Sequence, residues 1–164
     1  MLNSFKLVKP EIKHTMSNKI EMVITDLDGT LLRDNKEVSK RNNDTFRWLG
    51  QQNICRVAAT GRTLFNTAVL DNNFPLDYMI FSSGAGIMDW KTREIIMSYS
   101  LSAKQVDYAV KILISYNISF NIYSPIPDNH CFARYNSGNS PEDLIFLYEK
   151  YKDYISDCSG QLNL

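Results

Sequence analysis

Two aspartates one residue apart, Asp26 and Asp28, sit in the stretch M-V-I-T-D-L-D-G-T-L-L, residues 22–32. Alternation along an extended chain sends both carboxylates to the same side. Gly29 allows a tight turn behind them, and Thr30 adds a hydroxyl. An aspartate with the ordinary pKa of about 3.9 is ionised at neutral pH and is able to attack an electrophile covalently. A metal ion would offset repulsion between such a carboxylate and an anionic phosphoryl group. A strand-to-loop turn also uses Asp and Gly for their turn chemistry alone, and D-x-D by itself favours that plainer reading. The apolar and β-branched run Met22–Thr25 ahead of the pair reads as a buried strand and turns the balance toward chemistry. The carboxyl end of a parallel strand is where α/β folds bind ligands.

A second set of groups follows. Thr60 closes the strand-like run I-C-R-V-A-A-T, residues 54–60, and Gly61 and Arg62 come directly after it. The Thr60 hydroxyl and the Gly61 amide are both donors suited to phosphate oxygens, and preorganised donors stabilise the charge of phosphoryl transfer. The plainer readings are a threonine finishing a strand and a surface arginine at a helix start.

The elements that must position these groups alternate in type. After the first strand comes a polar loop, residues 31–38, and Ser39 as an N-cap. The helix it opens, about 40–52, has Phe46, Leu49 and Trp48 on its apolar face. The 54–60 strand, a short helix at 63–70 and a third strand at 77–83 complete a strand–helix–strand–helix–strand order. That order predicts an α/β fold with a parallel sheet and right-handed crossovers. The pattern then changes. Residues 86–97 read as a hairpin, Ser102 caps a helix at about 103–116, and 118–123 and 131–135 read as short strands. A helix at about 141–152 and a polar tail at 153–164 end the chain.

D-L-D-G-T resembles the first motif of the haloacid dehalogenase-like (HAD) phosphohydrolases, and the match is complete. The resemblance implies that Asp26 is the nucleophile and Asp28 the general acid/base. It implies Mg²⁺ held by Asp26 and the backbone carbonyl of Asp28. Thr60 matches the second motif, which binds the transferring phosphoryl group, with Gly61 beside it. A-A-T-G-R resembles the narrower Cof-type phosphatases, whose α/β cap is inserted after the third strand. Arg62 would then lie near the phosphate or the cap. In that group the third strand ends in N-G-A; here the matching residues are Ser83, Gly84 and Ala85, with Ser83 and Gly84 toward the substrate. The implied organisation is a loose leader at 1–19, the N-terminal part of a Rossmann-like HAD core at 20–85, a hairpin linker at 86–99 and a partial α/β cap at 100–164.

The family pattern continues beyond this chain, with a lysine as third motif and an acidic G-D-x-x-N-D-like fourth motif. Asp128-Asn129, Glu142-Asp143, Lys150 and Lys152 do not substitute for them. One charge contact at about 4 Å is worth about 4 kcal/mol at an effective dielectric near 20. The expectation is a C-terminally truncated member in which the first strand becomes a sheet edge open to self-association or to a complementing chain. The alternatives are a non-catalytic remnant that binds phosphate or a protein partner, and a phosphoryl-accepting receiver domain.

Bulk properties fit a globular domain. The 164 residues suffice for one domain, at 44% hydrophobic, 22% charged and zero net charge. Neutrality argues against a nucleic-acid or membrane surface held by charge, and no run is long and apolar enough to span a bilayer. The leader, with His14 and an alternative start at Met16, lacks the form of a secretory signal. Cys55, Cys131 and Cys158 are odd in number and form no C-x-x-C pair. Together these imply a reducing, cytoplasmic setting. The tyrosines and phenylalanines at 108, 116, 120, 123 and 135 read as cap core, and His130 as a cap surface residue.

Overall fold

The computed structural model of the protein describes residues 19–138 and 148–157. The leader and Cys158 therefore lie outside the described residues, as does most of the 141–152 helix, of which 148–150 are helical. A five-stranded sheet runs in the order β1 (Met22–Asp26), β2 (Cys55–Ala59), β3 (Tyr78–Phe81), β4 (Gly86–Asp89), β5 (Ile95–Ser98). The first three strands are parallel; β4 pairs antiparallel with β3, and β5 antiparallel with β4. The predicted hairpin is thus present and hydrogen-bonded to the parallel strands as part of one sheet. Gly86 is needed where it joins: a Cβ there would run into the Phe81 ring.

Helix α1 (Lys40–Gln51) returns from β1 to β2 and packs on β2. Ser39 caps it, its hydroxyl accepting from the Asn42 N–H at 3.1 Å. Phe46 and Leu49 are buried, whereas Trp48 faces solvent. The segment predicted as a helix at 63–70 is a tighter 3₁₀ turn, Phe65–Val69. Its hydrogen bonds close over three residues, as in Thr67 N–H to Leu64 O, 3.1 Å. Leu27, Leu32, Phe46, Met79, Phe81 and Trp90 form the centre of the core. Trp90 satisfies its indole N–H on the Phe74 carbonyl at 3.0 Å.

Among the described residues β1 is an edge strand, and the reading of it as buried is corrected. Ile24 is 56% exposed, and Ile20 and Met22 are exposed with it. No described element covers the face these three residues share, because α1 packs on β2.

A second sheet, β6 (Phe120–Tyr123), β7 (Phe132–Tyr135) and β8 (Ile155–Asp157), follows helix α2 (Ala103–Ser115). Ser102 and Gln105 form a reciprocal capping box at the start of α2. β8 lies within the segment read as a polar tail, 153–164, and is a strand not expected there: it pairs parallel with β7, Phe132 beside Ile155. Tyr108, Tyr116 and Tyr123 are exposed, contrary to the cap-core expectation, whereas Phe120 and Tyr135 stack at 5.0 Å between centroids.

Arg56 on β2 ties three segments together. It grips Asp77 with Nη2 at 2.6 Å and Nε at 2.9 Å, and its Nη1 donates to the Phe46 carbonyl of α1 at 3.2 Å. These bonds hold the Asp77 carboxyl below the usual carboxylate range. A depressed folded pKa stabilises above the unfolded pKa of about 3.9 and is lost as pH falls through the folded value. Asp77→Asn is expected to cost about 2 kcal/mol at pH 7, between exposed and buried pairs. The gap from wild type should narrow below pH 4, read by urea melts across pH. Leu27→Ala, at a fully buried site, is expected to cost about 3 kcal/mol in the same melts.

Candidate active site

Asp26 closes β1 directly opposite Ala59, the last residue of β2. Thr60 comes one step further, its N–H donating to the Ile80 carbonyl of β3 at 2.9 Å. The carboxyl ends of the three parallel strands therefore meet at one edge of the sheet, the position at which α/β folds bind ligands. Between the two aspartates Leu27 is 0% exposed, while Asp26 and Asp28 are both exposed. The chain then turns back through Gly29 at φ 75°, with Leu32 N–H donating to Leu27 O at 2.7 Å.

The Asp28 carboxylate holds two cations. Arg62 approaches with both prongs, Nε to Oδ2 and Nη2 to Oδ1, each at 2.7 Å. Lys36 Nζ reaches Oδ1 at 2.9 Å. Arg62 foremost, and Lys36 after it, hold the Asp28 carboxyl far below the usual carboxylate range. Arg62 is pushed up in turn by Asp28. Asp26 makes no ion pair or side-chain hydrogen bond among the described residues and stands open to solvent.

Thr60 is 7% exposed, and its hydroxyl accepts from the Arg62 N–H at 3.2 Å. Gly61 is exposed, and a Cβ added there would sit 3.5 Å from Ser83 Oγ. The two loops are laced together: Ser82 N–H donates to Arg62 O at 2.8 Å and Ser83 N–H to Thr60 O at 3.1 Å. Ser82, Ser83 and Gly84 all have positive φ, 51°, 54° and 95°. Two consecutive serines in the left-handed region are a backbone cost that clusters at functional sites. All seven residues singled out from sequence, Asp26, Asp28, Thr60, Gly61, Arg62, Ser83 and Gly84, thus lie at the end of β1 or on the loops leaving β1, β2 and β3.

Other groups at this end of the sheet were not signalled by motif. Lys36 belonged only to a polar loop. Asn129, 8% exposed, donates its amide to Ser82 Oγ at 2.6 Å. Tyr151 lies 2.9 Å from the Asn66 amide, and the Asn66 carbonyl accepts from Arg62 Nη1 at 3.2 Å. His130 is half-buried, stacked on Phe65 at 4.5 Å and edge-on to Tyr154, which corrects its reading as a surface residue. The second sheet and its loops therefore rest on the turn that follows Arg62.

Among the described residues no three His, Cys, Asp or Glu side chains gather as a metal cage. Mg²⁺ does not require one: it keeps several waters and takes one or two carboxylates plus phosphate oxygens. The open carboxylate of Asp26 is a donor of that kind.

The profile of the haloacid dehalogenase-like hydrolases matches residues 23–159. The Bacillus subtilis protein YxeH, which carries a provisional phosphatase name, is 27% identical over 127 residues, 71% of this chain and 47% of that protein. Among solved structures, BT1666 from Bacteroides thetaiotaomicron, a phosphatase of the HAD superfamily, superposes with a TM-score of 0.67 at 19% identity, covering 96% of this chain and 55% of that one. The HAD subclass IIB sugar phosphatase BT4131 gives 0.57 at 15% identity, covering 84% and 52%. These two likenesses show the fold. The chain spans about half the length of these relatives.

The Asp28 clamp predicts a pH behaviour. A depressed folded pKa keeps the ion pairs intact above the ordinary value and releases them only as pH falls through the lower one. By carboxyl-carbon NMR, Asp28 is expected to stay ionised while ordinary aspartates titrate near pH 4. In Arg62→Gln its midpoint should move back up toward theirs. The stability involved is small, under about 1 kcal/mol, because the pair is open to water. An ordinary midpoint in the wild type would contradict the clamp.

Proposed function

The chain belongs to the haloacid dehalogenase-like hydrolase family, and on that premise we propose that it acts as a Mg²⁺-dependent phosphohydrolase of a small phosphorylated metabolite, through an aspartyl-phosphate at Asp26. The observation that carries this reading is the exposed Asp26 carboxylate at the end of β1, opposite Ala59 and without an ion pair among the described residues, with Thr60 one step further along the chain from β2 and two cations gathered on Asp28. A nucleophile must be ionised and accessible, and a phosphate must meet donors and positive charge.

In the first step an Asp26 oxygen attacks phosphorus, and the bond from phosphorus to the leaving oxygen breaks. In the second step water attacks the aspartyl-phosphate, giving inorganic phosphate and restoring the carboxylate. Asp28, ionised in its clamp, is suited to take the proton of that water. To protonate the leaving oxygen it must first loosen from Arg62 and Lys36 and take up a proton from solvent. Thr60 and Gly61 hold equatorial phosphoryl oxygens, while Ser83 and Gly84 line the substrate side. When bound by Asp26 and the main-chain carbonyl of Asp28, Mg²⁺ supplies neutralising charge between carboxylate and phosphoryl group. The second sheet acts as the partial cap.

A second reading has its own support. Among the described residues β1 is an uncovered edge, and the acidic and lysine motifs of the family's later segments are not found among residues 100–164. A non-catalytic protein that binds phosphate, or pairs through β1, fits those two facts. Hydrolysis of p-nitrophenyl phosphate with and without Mg²⁺ separates the readings. The phosphohydrolase reading expects turnover that falls at least 10³-fold in Asp26→Asn, the loss of the nucleophile. Wild-type rates equal to the mutant's would leave the binding reading.

A further inference from the structure

Lys36 Nζ and Arg62 Nη2 converge on a single oxygen, Asp28 Oδ1, at 2.9 and 2.7 Å. One oxygen receiving two cationic donors is the arrangement by which proteins hold phosphate oxygens, and such charge-assisted bonds are the strong ones. We propose that Lys36 is a phosphate-binding residue of this site: a phosphoryl oxygen of the substrate takes the place Asp28 Oδ1 holds, between Lys36 and Arg62. The inference rests on the phosphohydrolase reading above and adds a ligand to it.

The loop is built to present this lysine. Lys36 has φ 63°, a left-handed conformation that costs a side chain with a Cβ. A ring of bonds holds it there. Lys36 N–H donates to Arg33 O at 2.9 Å, Arg33 N–H to Glu37 O at 3.0 Å, and the Asn35 amide to the Glu37 carboxylate at 2.8 Å. A bridge between Leu32 and Val38 closes the base. The backbone of Lys36 is therefore fixed, while its side chain, 53% exposed, has room to change partner.

Charge balance gives the reason. Asp26 and Asp28 place two negative charges at the carboxyl end of β1, against Arg62 and Lys36. Without Lys36 the remaining three are net negative and repel a phosphate anion; with it, an arriving phosphate meets a neutral group of four and two cations already converged. The same exchange frees the Asp28 carboxylate when substrate is present.

The test is calorimetric titration of the full chain with inorganic phosphate. Lys36→Gln is expected to weaken binding about tenfold, the loss of one charged contact, whereas Lys36→Arg stays within about twofold. Lys36→Gly relaxes the left-handed turn, so it should melt no lower than wild type and yet lose phosphate affinity as Lys36→Gln does. A lysine serving the turn alone would not separate stability from binding in this way. If Thr60→Val weakens phosphate binding while Lys36→Gln and Lys36→Gly bind as wild type, the inference falls and the phosphate site stands. If folded wild type takes up no phosphate at all, both fall.

Discussion

The geometry of this site depends on burying one leucine between two aspartates. Leu27 is fully enclosed, and Leu31 and Leu32, just past the turn, enter the same core. With Leu27 pinned inward at the end of β1, extended-chain alternation leaves Asp26 and Asp28 no direction but outward. The turn at Gly29 lets the chain fold back so that Leu31 and Leu32 bond the backbone of Asp26 and Leu27. The motif D-L-D-G-T-L-L is thus an anchor and a presentation device together. Its apolar members fix the position, and its acidic members are what is fixed.

Charge then couples the loops that this anchor presents. Asp28 leaves β1, Arg62 leaves β2 and Lys36 sits on the intervening loop, and the three meet at one carboxylate. Arg62 also reaches the Asn66 carbonyl, and Asn66 meets Tyr151 near the start of β8. A path of hydrogen bonds therefore runs from the acidic motif to the second sheet. Arg62 is thus shared between the Asp28 carboxylate and the turn that meets Tyr151.

Much of this was legible in the sequence because the signals were local. Ser39 and Ser102 each precede an apolar helical period, and both cap the helices expected of them. The β1–β2–β3 order followed from alternating patterns, and Asp26, Thr60 and Ser83 reach one edge because each ends or follows a parallel strand. What stayed hidden depends on distant partners. β8 is three residues with one large apolar side chain, and only its pairing with β7 makes it a strand. Ser82 and Lys36 adopt left-handed backbone that neither residue type announces. His130 has no ligand-spaced neighbour in sequence, yet stacks on Phe65, sixty-five positions earlier. Periodicity in α2 marked an apolar face without showing that Tyr108 and Tyr116 lie outside any cover.

The central claim is that Asp26 is placed to accept a phosphoryl group. Beryllofluoride with Mg²⁺ forms a stable mimic of a phosphorylated carboxylate, and fluorine NMR reads it without turnover. The account predicts a protein-bound fluorine resonance in the wild type that disappears in Asp26→Asn. A folded wild type with no bound resonance, or a resonance that survives Asp26→Asn, would contradict it.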